Sequence, residues 1–319
     1  MTTLIVLLGP TAVGKTELSI KLAKLLNCDI ISADSRQMYR RMDIGTAKPT
    51  QYELSQVRHH FIDTLDITDY YSAAQYEEDV LRLIASQDAD PSRPDVHLMV
   101  GGSMMYIDAV CNGIDDIPTV DEETRQLLKD KLQTEGLGHL CEELRLLDPE
   151  YYEIVDHKNT QRVVHALEIC YMTGKTYTSF RKNKKKERPF RVIKVGLRRE
   201  REELFSRINS RVEQMMQDGF LDEVRGLYEE YLPDESHVLP NALNTVGYKE
   251  MIQVIKGEWT EEFAVARMQK NTRVYAKKQM TWFQKDQAIH WFDCNQVSPQ
   301  KILDLVNSYQ LTGLRAMLA

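Results

Sequence analysis

An α/β fold, a parallel sheet core covered by helices with an inserted all-helical subdomain, is what this sequence predicts, on three observations. The first is Gly9, Pro10, Thr11, Ala12, Val13, Gly14, Lys15 and Thr16, which satisfy the phosphate-loop (P-loop) spacing G-x-x-x-x-G-K-[ST]. The second is a set of short apolar runs separated by helical patterns, the alternation of a parallel sheet covered on both faces. The third is a stretch of about seventy residues with helical periodicity and no convincing strand.

Taken in order, Leu4–Leu8 is a five-residue apolar run and reads as a buried strand feeding the loop. Glu17–Leu26 follows as an amphipathic helix with Leu18, Leu22 and Leu25/Leu26 at helical spacing. Further strands are expected at Asp29–Ser32, Val96–Val100, Val192–Leu197 and Ile289–Phe292. Residues 115–186 form the predicted insertion. One helix runs from about Glu122 to Glu135 and stops at Gly136; another spans His139–Leu147 and is ended by Asp148-Pro149. A third, Gln161–Met172, is capped by Asn159 or Thr160 and closed by Gly174. The core is therefore expected in two pieces, 1–114 and 187–319. Its second piece is helical over roughly 200–285, where Leu204, Ile208, Val212 and Met215 make a buried stripe beside Arg207 and Arg211.

Composition excludes several classes. With 42% hydrophobic and 28% charged residues the chain reads as globular, and no apolar run approaches the ~18 residues of a membrane helix. The five cysteines are scattered without a C-x-x-C pair, which argues against a disulfide framework or zinc site and fits a cytoplasmic protein. The net charge of −7 argues against indiscriminate nucleic-acid binding. Two local runs oppose it. Arg181–Arg191 holds seven Lys/Arg and one Glu, and Phe263–Lys285 holds six Lys/Arg and no acid. Basic patches on an acidic body focus a polyanion onto one surface, although solvated helix faces have the same composition.

The loop's chemistry is anion binding. Its glycines let the backbone wrap a phosphate, its amides and the helix N-terminus point at it, Lys15 adds a charge, and Thr16 offers a hydroxyl to magnesium. Asp34 follows the second predicted strand and belongs at the same, carboxyl end of the sheet, where ligands collect. A carboxylate beside a phosphate site is costly, so a general base, metal partner or hydroxyl clamp is expected there; the alternative is helix capping by Asp34 or Ser35. The strand ending Gly101-Gly102-Ser103 has no acidic residue, unlike that of many P-loop ATPases. In the last basic stretch Arg273, Lys277 and Lys278 interleave with Tyr275, Trp282 and Phe283, a pattern that suits a phosphate backbone with stacking bases.

Several motifs converge. GPTAVGKT at 9–16, DSRQMYRRMDIG at 34–45 with Thr46-Ala47-Lys48-Pro49, GGSMMY at 101–106, Gln161-Arg162 with Ala166-Leu167-Glu168, Gly247-Tyr248-Lys249-Glu250, and RVYAKKQMTW at 273–282 together resemble the tRNA dimethylallyltransferases (tRNA isopentenyltransferases) over about residues 4–285. The resemblance implies transfer of the dimethylallyl group from dimethylallyl diphosphate to the exocyclic amine of the adenine 3′ to the anticodon. It implies that the loop holds a leaving diphosphate, with Mg2+ on Thr16, and that Asp34 takes the amine proton. Either Arg207 or Arg211 reaches the diphosphate, with Arg211 favoured. The tRNA anticodon stem-loop is expected on Asp34, Ser35, Arg36, Gln37, Ser103, Arg125, Gln161, Arg162, His165, Arg273, Lys277 and Lys278. Ser103 replaces a usual Thr, His165 a common Arg, and Lys277-Lys278 an Arg-Arg pair, changes that touch RNA contacts rather than chemistry. No Cys/His zinc module follows, which suggests the bacterial type. No obligate protein partner and no membrane association are expected. A small-molecule kinase of shikimate-kinase type, an isopentenyltransferase acting on free adenine nucleotides, and a nucleotide-switched RNA-binding protein are the competing readings. The kinase would need neither the inserted helices nor the acid-free basic helix, the nucleotide transferase has less use for two basic runs, and the RNA-binding protein would not require Asp34.

Overall fold

Six parallel strands, ordered β3-β2-β4-β1-β5-β6, form the sheet of the computed structural model. They are β1 (Thr3–Leu8), β2 (Ile30–Ala33), β3 (His59–His60), β4 (Val96–Gly101), β5 (Arg191–Arg198) and β6 (Ile289–Asp293). The structure describes residues 2–182, 184–232 and 239–317. Thus 233–238, inside the stretch expected to be helical, lie outside the described residues. β3 was not expected: two residues are too few to set a periodicity.

All six residues of β1 are buried because the strand is covered on both sides. Ile5 and Leu7 pack with α1 (Lys15–Leu26), while Leu4, Val6 and Leu8 face α3 (Ala73–Asp88) and α4 (Met104–Asn112); α2 (Gln51–Gln56) is a short helix before β3. Register places Leu8 opposite Gly101 of β4 and Gly196 of β5. The phosphate loop and the Gly101-Gly102 turn therefore leave the sheet side by side. A Cβ on Gly101 would lie 2.1 Å from the Ala33 carbonyl oxygen, so close strand approach demands glycine there.

Contacts divide the chain into two compact units, residues 1–111 with 188–319, and residues 112–187. The second unit holds α5 (Glu122–Leu147), α6 (Pro149–Ile154), α7 (Thr160–Thr173) and α8 (Tyr177–Phe180). α5 is broken at Gly136 (φ 80, ψ 166), in effect two helices that meet where the sequence stops the first. Leu128, Leu140, Leu144, Val163, Ala166 and Leu167 make this unit's core. Asp148 sits buried, capping α6 at the Tyr151 amide and accepting from the Thr178 amide and hydroxyl.

In the first unit α9 (Arg201–Gln217), α10 (Phe220–Tyr231), α11 (Tyr248–Ile255) and α12 (Glu261–Phe283) build a third apolar cluster around Phe220, Tyr248 and Met268, and α13 (Pro299–Met317) follows β6. Among the described residues no helix is long and apolar enough to cross a membrane.

Candidate active site

The phosphate loop turns from β1 into α1 with Gly14 as a left-handed N-cap (φ 110) and Ala12 at φ 63. Lys15 folds back, its Nζ 2.9 Å from the carbonyls of Gly9 and Pro10. Burial lowers its pKa to about 8, the Asp34 carboxylate opposing the shift and Arg211 adding to it. A polar cavity of about 120 Å³ is lined by Gly14, Lys15, Thr16, Ser32, Asp34, Gln37, His59 and Arg211. Thr11, Ala12, Asp34 and Arg211 also line a second cavity of about 420 Å³. That chamber adds an apolar wall of Ile208, Val212, Met215, Val246 and Met268, with Ser35, Arg36, Ser103 and Tyr106 on the strand side. An anion cradle, a carboxylate and an apolar chamber are thus contiguous.

Asp34 uses one oxygen structurally: Oδ1 accepts from the amides of Arg36 (2.9 Å) and Gln37 (3.3 Å), while Oδ2 accepts no hydrogen bond from a described residue. Ser103 Oγ accepts from the Ser35 amide at 2.8 Å, fixing the turn after Asp34 to the end of β4. Burial depresses the Arg211 pKa, as does the Arg207 guanidinium, and Asp34 opposes both. Arg207 itself lines neither cavity; its Nε donates to the Ala12 carbonyl at 2.9 Å. Of the two arginines expected to reach the diphosphate, Arg211 occupies the site and Arg207 holds the loop. Arg211 follows Ile208 and precedes Val212 on the face turned to the chamber, whereas Arg207 lies a turn earlier against the loop.

Other expected residues have partners of their own. Gln37 spends its amide nitrogen on the carbonyls of Thr46 and Ala47. Arg36 lines the chamber and donates to the Asn241 carbonyl. Arg273, expected to face RNA, instead donates to Asn209 of α9 and packs over Phe205. Lys277 and Lys278 are exposed on the same helix. In the helical unit Gln161 and Arg162 are exposed at the start of α7, Arg125 lies near Glu122 on α5, and His165 contacts Glu168 and the edge of Tyr177. The first basic run is partly structural: Arg188 forms a buried pair with Glu77 at 2.6 Å, and Lys186 pairs with Asp116 at 2.7 Å.

Three positioning groups escaped the sequence reading. Gln279 is buried and bridges the loop to the β4 turn, accepting from the Thr11 amide at 2.9 Å and donating to the Gly102 carbonyl at 2.8 Å. Glu223 accepts from the amides of Asp43, Ile44 and Gly45 and from the Tyr248 hydroxyl. Lys48 reaches Asp43 and Asp63. Gln279 stood inside RVYAKKQMTW, so its place in a motif was the one available signal; its partners lie far upstream in the chain.

An open parallel sheet whose first turn cradles an anion beside a carboxylate and an apolar chamber defines a P-loop-type group transferase. Comparison with known proteins narrows the class. Residues 37–286 match the family described as IPP transferase, and the chain belongs to that family. It is 60% identical to tRNA dimethylallyltransferase 1 of Phocaeicola vulgatus over 92% of this chain and 95% of that one. It is 54% identical to tRNA dimethylallyltransferase 1 of Bacteroides thetaiotaomicron over 99% of both. A crystal structure of a eukaryotic dimethylallyltransferase acting on tRNA superposes with a TM-score of 0.79 at 25% identity, covering 98% of this chain and 80% of that one.

Proposed function

We propose that this chain is a tRNA dimethylallyltransferase that moves the five-carbon group of dimethylallyl diphosphate onto the exocyclic amine of the adenine 3′-adjacent to the anticodon, in the cytoplasm. The observation that carries the reading is the shared cavity. Asp34 and Arg211 line both the polar cavity, which also holds Lys15 and the phosphate loop, and the apolar chamber.

The adenine amine is a poor nucleophile because its lone pair is delocalised into the ring. In the reaction the nitrogen forms a bond to C1 of the dimethylallyl group, and the C1–O bond breaks with its electron pair leaving on diphosphate. The amine proton passes to Oδ2 of Asp34. Charge growing on the diphosphate is met by Lys15, Arg211 and the loop amides. The wall of Ile208, Val212, Met215 and Met268 excludes water from the allylic carbon. The oxygen donors at the polar cavity, the Thr16 and Ser32 hydroxyls and the Asp34 carboxylate, suit a hard cation, so Thr16 would hold Mg2+. Bound there, Mg2+ neutralises part of the diphosphate charge. The target base must leave its stack, which is affordable in a single-stranded loop. Exposed Lys277 and Lys278, together with Gln161 and Arg162 of the helical unit, supply contacts to the RNA.

Radiolabelled dimethylallyl diphosphate offered with Mg2+ and either tRNA or AMP tests the proposal. Label on tRNA is expected. Label on AMP alone would identify a nucleotide isopentenyltransferase, and no transfer to either would overturn the reading.

A further inference from the structure

We propose that Arg199 and Arg207 are positioning residues that hold the diphosphate loop by its carbonyls, Arg199 aiming the Gly14 amide at the ligand and Arg207 securing the left-handed turn at Ala12, whose following Val13 amide is taken by the Pro10 carbonyl. The inference rests on the diphosphate-binding role argued above. Four loop carbonyls accept from cationic side chains: Gly9 and Pro10 from Lys15, Ala12 from Arg207 at 2.9 Å, and Val13 from Arg199 at 2.7 Å. Lys15 lines the polar cavity and is free to exchange its carbonyl partners for a phosphate oxygen. Neither Arg199 nor Arg207 lines either cavity, so both keep their bonds when ligand arrives.

The consequence follows from peptide geometry. In a trans peptide the C=O and the following N–H point in opposite directions. A guanidinium on the Val13 carbonyl therefore sets the direction of the Gly14 N–H, which has no backbone acceptor among the described residues. Ala12 has a second need for support. Its φ of 63 is a conformation that a residue with a Cβ disfavours, and Arg207 bonds that residue's own carbonyl.

Arg199 is held rather than free. Its side chain is 10% exposed, its Nη1 donates to Glu203 and Asn295, and Asn295 closes the triangle by donating to Glu203 at 2.8 Å. A guanidinium anchored at Nη1 by two acceptors, which are themselves bonded to each other, presents Nε to the Val13 carbonyl.

Calorimetric titration of the full chain with inorganic diphosphate at fixed Mg2+ tests this, alongside steady-state transfer to tRNA. Arg199→Ala should weaken diphosphate binding about tenfold, the loss of one hydrogen bond to a charged group. The KM for tRNA should stay at its wild-type value. Arg207→Ala should behave alike, and Arg199→Lys should recover part of the loss. If Arg199→Ala does not fold, Asn295→Ala removes one anchor of the guanidinium and should give a smaller loss of the same kind. Diphosphate affinity within twofold of wild type, or a tRNA KM rising in step with the diphosphate Kd, would overturn the assignment. A wild-type chain that transfers no label to tRNA would instead sink the proposed function, leaving the loop geometry to be judged by the titration alone.

Discussion

Asp34 divides its work between its two oxygens. Capping and proton acceptance stood as alternatives in the sequence, and the structure makes the first compatible with the second: Oδ1 orders the turn at Arg36 and Gln37, while Oδ2 remains for the cavity. Arg211 and Arg207, one turn apart, illustrate what a helical pattern can and cannot say. Periodicity put both beside the buried stripe but carried no information on which face meets the loop and which the chamber. Their placement separates their effects. Arg211→Ala should lower kcat about a hundredfold to a thousandfold, as for loss of one donor to developing charge. Arg207→Ala should act mainly on diphosphate affinity. Steady-state kinetics with dimethylallyl diphosphate as the varied substrate distinguishes the two, and equal losses of kcat would contradict the assignment.

Elements were legible where an apolar run or a periodic face came with clear punctuation, and not by length alone: the strands at β2 and β6 were expected, the 19-residue α13 was not. β1, α1 and α7 have apolar runs or periodic faces with clear punctuation, and the break at Gly136 was marked by the glycine itself. β3 was not legible because its two residues pair with β2 only through tertiary context. The segment 34–49 shows the deeper limit. Its motif was the most specific in the chain, yet its shape is imposed from elsewhere. Glu223 of α10 gathers three of its amides, and Gly45 lies so close to Phe220 that a Cβ would fall 2.2 Å from the ring. Gly247-Tyr248-Lys249-Glu250 is similarly architectural. Tyr248 is buried with its hydroxyl on Glu223, and Glu250 caps its own helix at Gly247 while accepting from Asn271 of α12. Motif residues whose partners lie far away in sequence look functional until the partner is seen.

At the scale of the whole molecule, a net charge of −7 coexists with local basic runs, and the structure sorts those runs. Arg188, Arg191 and Arg273 are spent on Glu77, the Tyr309 carbonyl and Asn209, whereas Lys277 and Lys278 face outward. The pair is therefore the cleaner test of a polyanion grip. Replacing both with Ala should weaken tRNA binding and reduce the slope of log K against log salt by about 1 to 2, with turnover at saturating tRNA little changed. An unchanged slope would place the RNA elsewhere on the surface.

The account turns on a proton leaving the base for a carboxylate that shares its cavity with the departing diphosphate. Single-turnover transfer to tRNA by Asp34→Asn, measured beside its affinity for inorganic diphosphate, tests that most directly. The substitution keeps the shape and the acceptor oxygen that orders the turn while removing the base. Transfer should slow about a hundredfold to ten-thousandfold with diphosphate affinity preserved or improved. Transfer at a near-normal rate would contradict the mechanism.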